Sequence, residues 1–156
     1  MAIEIERKFL VVGDEWRNAP AVYYSQGYLS RTKERTVRVR IAGDRAFLTI
    51  KGKSVGATRT EFEYEIPIVD GRELLALCEQ PIIEKYRRHL SYAGYIWVID
   101  EFLGDNLGLV VAEIELPAEN TPFDKPSWAG DEVTADPRYF NSALVSSPWK
   151  LWGNSQ

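Results

Sequence analysis

The chain of 156 residues has one cysteine, Cys78, one histidine, His89, and no excess of positive charge. A lone cysteine makes no intramolecular disulfide, which excludes a cross-linked secreted scaffold and suits a reducing compartment. Cys78 is expected to be a small buried residue, and His89 a hydrogen-bonded strand residue rather than a metal ligand. A net charge of −4 argues against a general nucleic-acid-binding surface. No apolar run approaches membrane-spanning length. The charges begin at Glu4 with no apolar leader before them, so the expected location is the cytoplasm, without membrane or nucleic-acid partners. No low-complexity tract and no solenoid repeat occurs. The length fits one domain over residues 1–156 with room for a real core.

What the chain does have is charge in strict alternation. Glu4, Glu6 and Lys8 are spaced i, i+2, i+4 between Ile3 and Phe9. On a β-strand this spacing puts all three on one face and the apolar residues on the other. The pattern recurs. Arg38 and Arg40 alternate with Val37, Val39 and Ile41, and Lys51 and Lys53 follow Leu48 and Ile50 at complementary parity. Glu61, Glu63 and Glu65 alternate with Phe62, Tyr64 and Ile66. Lys85 and Arg87 precede His89, Asp100 ends a strand-like run, and Glu113 and Glu115 alternate with Ala112, Ile114 and Leu116. If the strands form one antiparallel sheet curled with these faces inward, the lumen holds carboxylates on some strands and Lys/Arg on others. Carboxylates bind hard divalent cations, and guanidinium groups bind phosphate oxygens in bidentate fashion. Such a cavity suits a metal–polyphosphate complex.

The spacing predicts a short helix or turn over Val12–Asn18, with Asp14 as N-cap, and a strand over Ala21–Ser30. Hairpins are expected around Gly43-Asp44 and Ala93-Gly94, and further strands at Arg59–Pro67 and Leu109–Leu116. Lys51–Arg59 reads as a basic loop. Helices are expected over Gly71–Gln80, burying Leu74, Leu75 and Leu77, and over Asp136–Ser146, with Pro137 in its first turn. Trp149 and Trp152 in the tail are expected either to pack on the body or to form a homodimer contact. The fold class is α+β: an eight-stranded antiparallel β-barrel with a few flanking helices.

The charged segments, in this order, resemble the CYTH superfamily, the triphosphate tunnel metalloenzymes. The ExExK signature is present at Glu4, Glu6 and Lys8. RVR follows at Arg38–Arg40, TIKGK at Thr49–Lys53, RTEFEYEI at Arg59–Ile66, EKYR at Glu84–Arg87 and AEIEL at Ala112–Leu116. EVTADPRYFNSAL, from Glu132 to Leu144, is similar to the C-terminal signature of small single-domain bacterial members. The resemblance spans nearly the whole chain. It implies a barrel enclosing a tunnel and metal-dependent hydrolysis of a triphosphate, or cyclisation of ATP in one branch. It implies Glu4, Glu6, Glu63, Asp100, Glu113 and Glu115 as ligands of Mg²⁺ or Mn²⁺, as two ions, with Glu61 a spare on the same face as Glu63. Lys8, Arg38, Arg40, Lys51, Lys53, Lys85 and Arg87 would grip phosphoryl oxygens, with those that tighten on the transition state, Arg40 among them, lowering the barrier. The base that takes the proton of the attacking water is either a carboxylate such as Glu6 or Lys85 paired with Tyr28.

Arg59 and Glu65 face the lumen by parity and are expected at its mouth. Arg7, Glu34, Arg35 and Arg88 are expected on the surface. The leading function is hydrolysis of inorganic triphosphate to pyrophosphate and phosphate, with the small-molecule triphosphate as partner. The alternatives are a class IV-type adenylate cyclase, a thiamine or nucleoside triphosphatase, and a non-catalytic polyphosphate-binding module. No aromatic-plus-amide cluster stands out among the charged motifs to hold a base.

Overall fold

A computed structural model describes residues 3–152. The strands are β1 (Ile3–Val11), β2 (Ala21–Thr32), β3 (Arg35–Ala42), β4 (Arg45–Gly52), β5 (Thr58–Ile66), β6 (Ile83–Tyr92), β7 (Tyr95–Phe102), β8 (Val110–Glu115) and β9 (Ala129–Glu132). Helix α1 covers Ile68–Leu77 and α2 covers Asn141–Leu144. The sheet order is β5-β4-β3-β2-β6-β7-β8-β1-β9, and a further β5–β1 pairing closes β1–β8 into a ring. All pairings are antiparallel, as tight hairpin connections require. β1 holds β8 along Glu6–Leu10 on one flank, and on the other β5 at Ile3–Ile5 and then β9 at Phe9 and Val11. β9 has no counterpart in the expected strands. Its short stretch, Ala-Gly-Asp-Glu, lacks the β-branched alternation that marks a strand.

Both expected hairpin turns form. Gly43 has φ 62°, and Ala93 and Gly94 have φ 50° and 87°, the left-handed pair that matches strand twist. Outside the ring, α1 lies against β3 and β4. A Cβ at Gly71 would stand 2.4 Å from the Ala46 Cβ, so the glycine is what lets the helix seat. α1 begins three residues earlier than expected, behind Pro67, and ends before Cys78. Leu77, expected to be buried, is exposed, while Cys78 is buried as expected.

The inward rows are polar at one end and apolar at the other. Glu4, Glu6 and Lys8 lead on to Leu10, and Glu115 and Glu113 lead on to Val111 and Leu109. At the apolar end Tyr28, Ile83, Phe102, Leu109 and Val111 pack with Tyr139, Leu144, Val145 and Trp152 of the C-terminal segment, which stops that end of the ring. A second core lies on the outer face, where Phe9, Trp97, Ile99, Ala112 and Ile114 meet Trp16 and Trp128. The tail tryptophans therefore pack on the body, Trp149 partly buried against the core at the apolar end of the ring and Trp152 within it. The helix expected over Asp136–Ser146 is split. A 3₁₀ turn covers Pro137–Tyr139, capped by the Asp136 carboxylate, and Phe140 is extended (φ −67°, ψ 135°) before α2 begins. Near the other terminus the expected turn is a 3₁₀ helix at Glu15–Asn18, and the Asp14 side chain makes no capping bond there. No helix among the described residues is long and apolar enough to cross a membrane.

Candidate active site

The polar half of the ring encloses a cavity of about 400 Å³, within the usual range for a small-ligand site. The ring order separates its charges. β8, β1 and β5 are contiguous and carry Glu113, Glu115, Glu4, Glu6, Glu61 and Glu63, all lining the cavity. β2 lies half-way round the ring from β1, flanked by β3 and β6, which carry Arg38, Arg40, Lys85 and Arg87. Lys8 and Lys51 extend the positive charge into the acidic arc. Tyr28 and Arg59 also line the cavity.

On the acidic arc, Glu6 and Glu115 are Cα partners across β1 and β8, as are Lys8 and Glu113. Lys8 Nζ lies 3.4 Å from Glu113 Oε2. Although burial pushes the other way, Lys8 holds the Glu113 carboxyl down to about 2. Lys51 Nζ donates to Glu4 Oε1 at 3.0 Å and lies 3.5 Å from Glu61. Thr49 and Arg38 both donate to Glu63 Oε2, at 2.8 and 3.4 Å. Glu6 and Glu115 have neither hydrogen bond nor ion pair among the described residues. Burial, then Glu113 and Glu4, raise the Glu6 carboxyl to about 8, and burial, then Glu4, raises that of Glu115. Like charges directly opposite in a sheet destabilise it unless a cation joins them. An all-oxygen donor set with two uncompensated carboxylates fits a hard divalent cation. Glu4 and Glu113 lean instead on their lysines, and among the described residues no three carboxylates converge on one point.

On the basic arc, Asp100 is the base plate. Arg87 Nε and Nη2 donate to its two oxygens at 2.7 and 2.8 Å, and Lys85 Nζ donates to Oδ2 at 2.7 Å. Asp100 was expected to ligate metal. It is 2% exposed, does not line the cavity and has both oxygens engaged by cations. Burial alone would raise its carboxyl, but Arg87 and Lys85 hold it far below the usual carboxylate range. Because Arg87 already neutralises Asp100, burial dominates at Lys85 and lowers its ammonium, helped by Arg87 and Arg40. Arg40 is lowered to about 9 by burial, then by Arg38 and Arg87, a crowd of like charges in need of an anion. Its Nε donates to Gln26 Oε1 at 2.9 Å, while Arg38 Nε is buried without a partner among the described residues.

Lys53 does not line this cavity. β4 ends at Gly52, the chain turns through Val55–Thr58, and Lys53 faces the adjoining mouth with Arg31, Lys33 and Arg59. Glu65 is outside, paired with Arg45, and His89 is exposed at the ring end. Arg7 pairs with Glu132, and Arg88 with Glu101, away from the lumen; Glu34 and Arg35 are exposed. Sequence reasoning missed Gln26 and Asn141, which reach the site as neutral amides with no charge pattern to mark them. It also missed the Tyr139 carbonyl, which accepts from Lys8 Nζ at 3.2 Å.

Residues 2–143 match the CYTH domain. The chain belongs to the CYTH family. It is 53% identical over 152 residues to an inorganic triphosphatase of Acetivibrio thermocellus, covering 96% of this chain and 97% of that protein. It is 36% identical over 148 residues to an inorganic triphosphatase of Nitrosomonas europaea, covering 92% and 97%. The solved structure of an inorganic triphosphatase superposes with a TM-score of 0.67 at 34% identity, over 93% of this chain and 95% of that one. In this chain the ring sets the acidic strands β8, β1 and β5 apart from the basic strands β3 and β6.

Proposed function

We propose that this CYTH protein hydrolyses inorganic triphosphate to pyrophosphate and phosphate in the ring cavity, in a single domain over residues 1–156, and that it works in the cytoplasm. The observation that carries this reading is the opposition of two unbalanced arcs: Glu6 faces Glu115 with no ion pair to either among the described residues, and Arg40, with no carboxylate partner among them, is crowded by Arg38 and Arg87. A divalent metal bridged to a polyanion satisfies both at once. Aromatic surface supports the choice of an all-phosphate substrate. Of the two rings that line the cavity among the described residues, Phe140 lies against Lys8 and Tyr28 is buried, which disfavours stacking of a base there.

Glu4, Glu6, Glu61, Glu63, Glu113 and Glu115 would hold two ions, Mg²⁺ or Mn²⁺. When bound, such ions neutralise phosphate oxygens and acidify a water. Arg38, Arg40 and Arg87 grip the phosphoryl oxygens, with Lys8 and Lys51 reaching in from the acidic side. A water oxygen attacks the terminal phosphorus in line, the bond to the pyrophosphate oxygen breaks, and the water proton passes to a base. Lys85, with a lowered ammonium and Tyr28 on the same wall, suits that role, and Asp100 positions it from beneath. The cationic wall stabilises charge growing on the leaving oxygen.

The test is release of phosphate and cyclic AMP from tripolyphosphate, ATP and thiamine triphosphate, with Mg²⁺, Mn²⁺ or EDTA. Chelator-sensitive phosphate release from tripolyphosphate, faster than from ATP, is expected. Cyclic AMP from ATP would move the protein to the cyclase branch, and silence on all three substrates would leave a binding module.

A further inference from the structure

The C-terminal segment is latched to two tunnel lysines. Tyr139 accepts from Lys8 through its carbonyl, and Asn141 Oδ1 accepts from Lys85 Nζ at 3.0 Å and from Gln26 Nε2 at 2.9 Å. The orientation of both amides follows from donor chemistry. Arginine only donates, so the Gln26 atom 2.9 Å from Arg40 Nε must be its oxygen. The Gln26 NH₂ then points to Asn141 and fixes Oδ1 there. The Asn141 NH₂ is therefore turned away from Gln26 and Lys85. It has no acceptor among the described residues, and Asn141 lines the cavity.

We propose that the Asn141 carboxamide is a substrate-binding group that donates from Nδ2 to a phosphoryl oxygen of the triphosphate, while its Oδ1 holds Lys85 and Gln26. A neutral donor beside Lys85 and Arg40 adds a hydrogen bond to phosphate without further like-charge repulsion. It also makes the C-terminal segment part of the site, since the extended backbone at Phe140 is what swings Asn141 inward. This inference rests on the triphosphatase reading of the cavity.

Asn141→Ala and Asn141→Asp separate the two jobs of the residue. Asp keeps an acceptor for Lys85 and Gln26 but removes the donor and puts a carboxylate toward the phosphates. Binding of diimidotriphosphate, in which NH replaces both bridging oxygens so that no P–O–P bond is left to hydrolyse, is measured alongside turnover of tripolyphosphate and the Tm. Binding does not need a base, so a change confined to Lys85 basicity leaves it untouched. The expected result is binding weakened about 10- to 100-fold in Asn141→Ala, the range for one hydrogen bond to a charged group, and weakened further in Asn141→Asp at near-native Tm. Recovery of binding in Asn141→Asp relative to Asn141→Ala, or native binding in both, overturns the proposal. An inactive wild type that does not bind the analogue would instead overturn the triphosphatase reading itself.

Discussion

Glu6 and Glu115 face each other directly across β1 and β8, both open to the cavity and neither joined to a cation side chain. A neighbouring pair in the same ladder, Lys8 and Glu113, is compensated. Replacing either Glu6 or Glu115 by Gln is expected to cut metal-dependent turnover by about 100-fold or more, since even supporting residues of metal sites cost 10- to 100-fold. The metal-free protein should meanwhile hold its stability at neutral pH, where burial keeps the Glu6 carboxyl protonated, and should be more stable than the wild type above about pH 8, where the like-charge pair would otherwise form. Thermal melts with and without Mn²⁺ check this. A metal-dependent rise in Tm that survives both substitutions would remove these residues from the metal site.

Asp100 marks the opposite case, a carboxylate whose charge is consumed by the protein. Asp100→Asn leaves Arg87 and Lys85 buried beside a neutral amide. The expected loss is about 3–5 kcal/mol of folding stability, the usual cost of breaking a buried pair by removing one partner. Urea denaturation measures it. The metal concentration giving half-maximal activity should stay as in the wild type. A large shift in that concentration with little loss of stability would make Asp100 a ligand after all.

These two carboxylates show what the sequence could and could not reveal. Parity placed Glu6 and Glu115 on one face of their strands, and the family resemblance set Asp100 beside them as a ligand. Depth was hidden. Asp100 is short and lies between the longer Lys85 and Arg87, which reach over it, and spacing along one strand says nothing about length across the lumen. Lys53 fails for a different reason: its alternation with Lys51 continues in the letters after the strand has ended at Gly52. The hairpins at Gly43 and Ala93-Gly94 were legible because turn chemistry is local. The split of the last helix at Phe140 was not, because Asp136–Ser146 reads as helical until Tyr139 and Asn141 find Lys8 and Lys85. Gln26 carried no signal, since a neutral amide breaks no pattern.

The wall and the mouth should differ in what they contribute. Arg40→Ala removes a cation that lines the cavity and strands Gln26 Oε1. A loss in kcat/KM of about 10- to 100-fold is expected, as for a hydrogen bond to a charged group. Lys53→Ala, outside the cavity, should change kcat/KM by less than about twofold, in line with an exposed substitution. Arg59, across from Glu4 in the β1–β5 pairing, should fall between them. Steady-state kinetics on tripolyphosphate decide the order. Equal effects at Arg40 and Lys53 would mean that net charge alone, rather than the wall, binds the substrate.

The tail offers the last test, because it connects a core residue to the site. Trp152 packs edge-on against Tyr139, with ring centroids 5.1 Å apart, and against Trp149 at 5.0 Å. Its Nε1 donates to the Ser147 carbonyl at 2.9 Å. Trp152→Ala should cost about 3 kcal/mol, the low end for loss of a large buried ring. The loss is expected to reach the chemistry as well. With its ring support gone, Tyr139 no longer fixes the carbonyl that accepts from Lys8, and Asn141 two residues on loses its hold on Lys85. Assayed well below the variant's Tm, kcat/KM should therefore fall, and Trp152→Phe should restore most of it. A variant that is less stable yet fully active while folded would show that the tail only stops the apolar end of the ring.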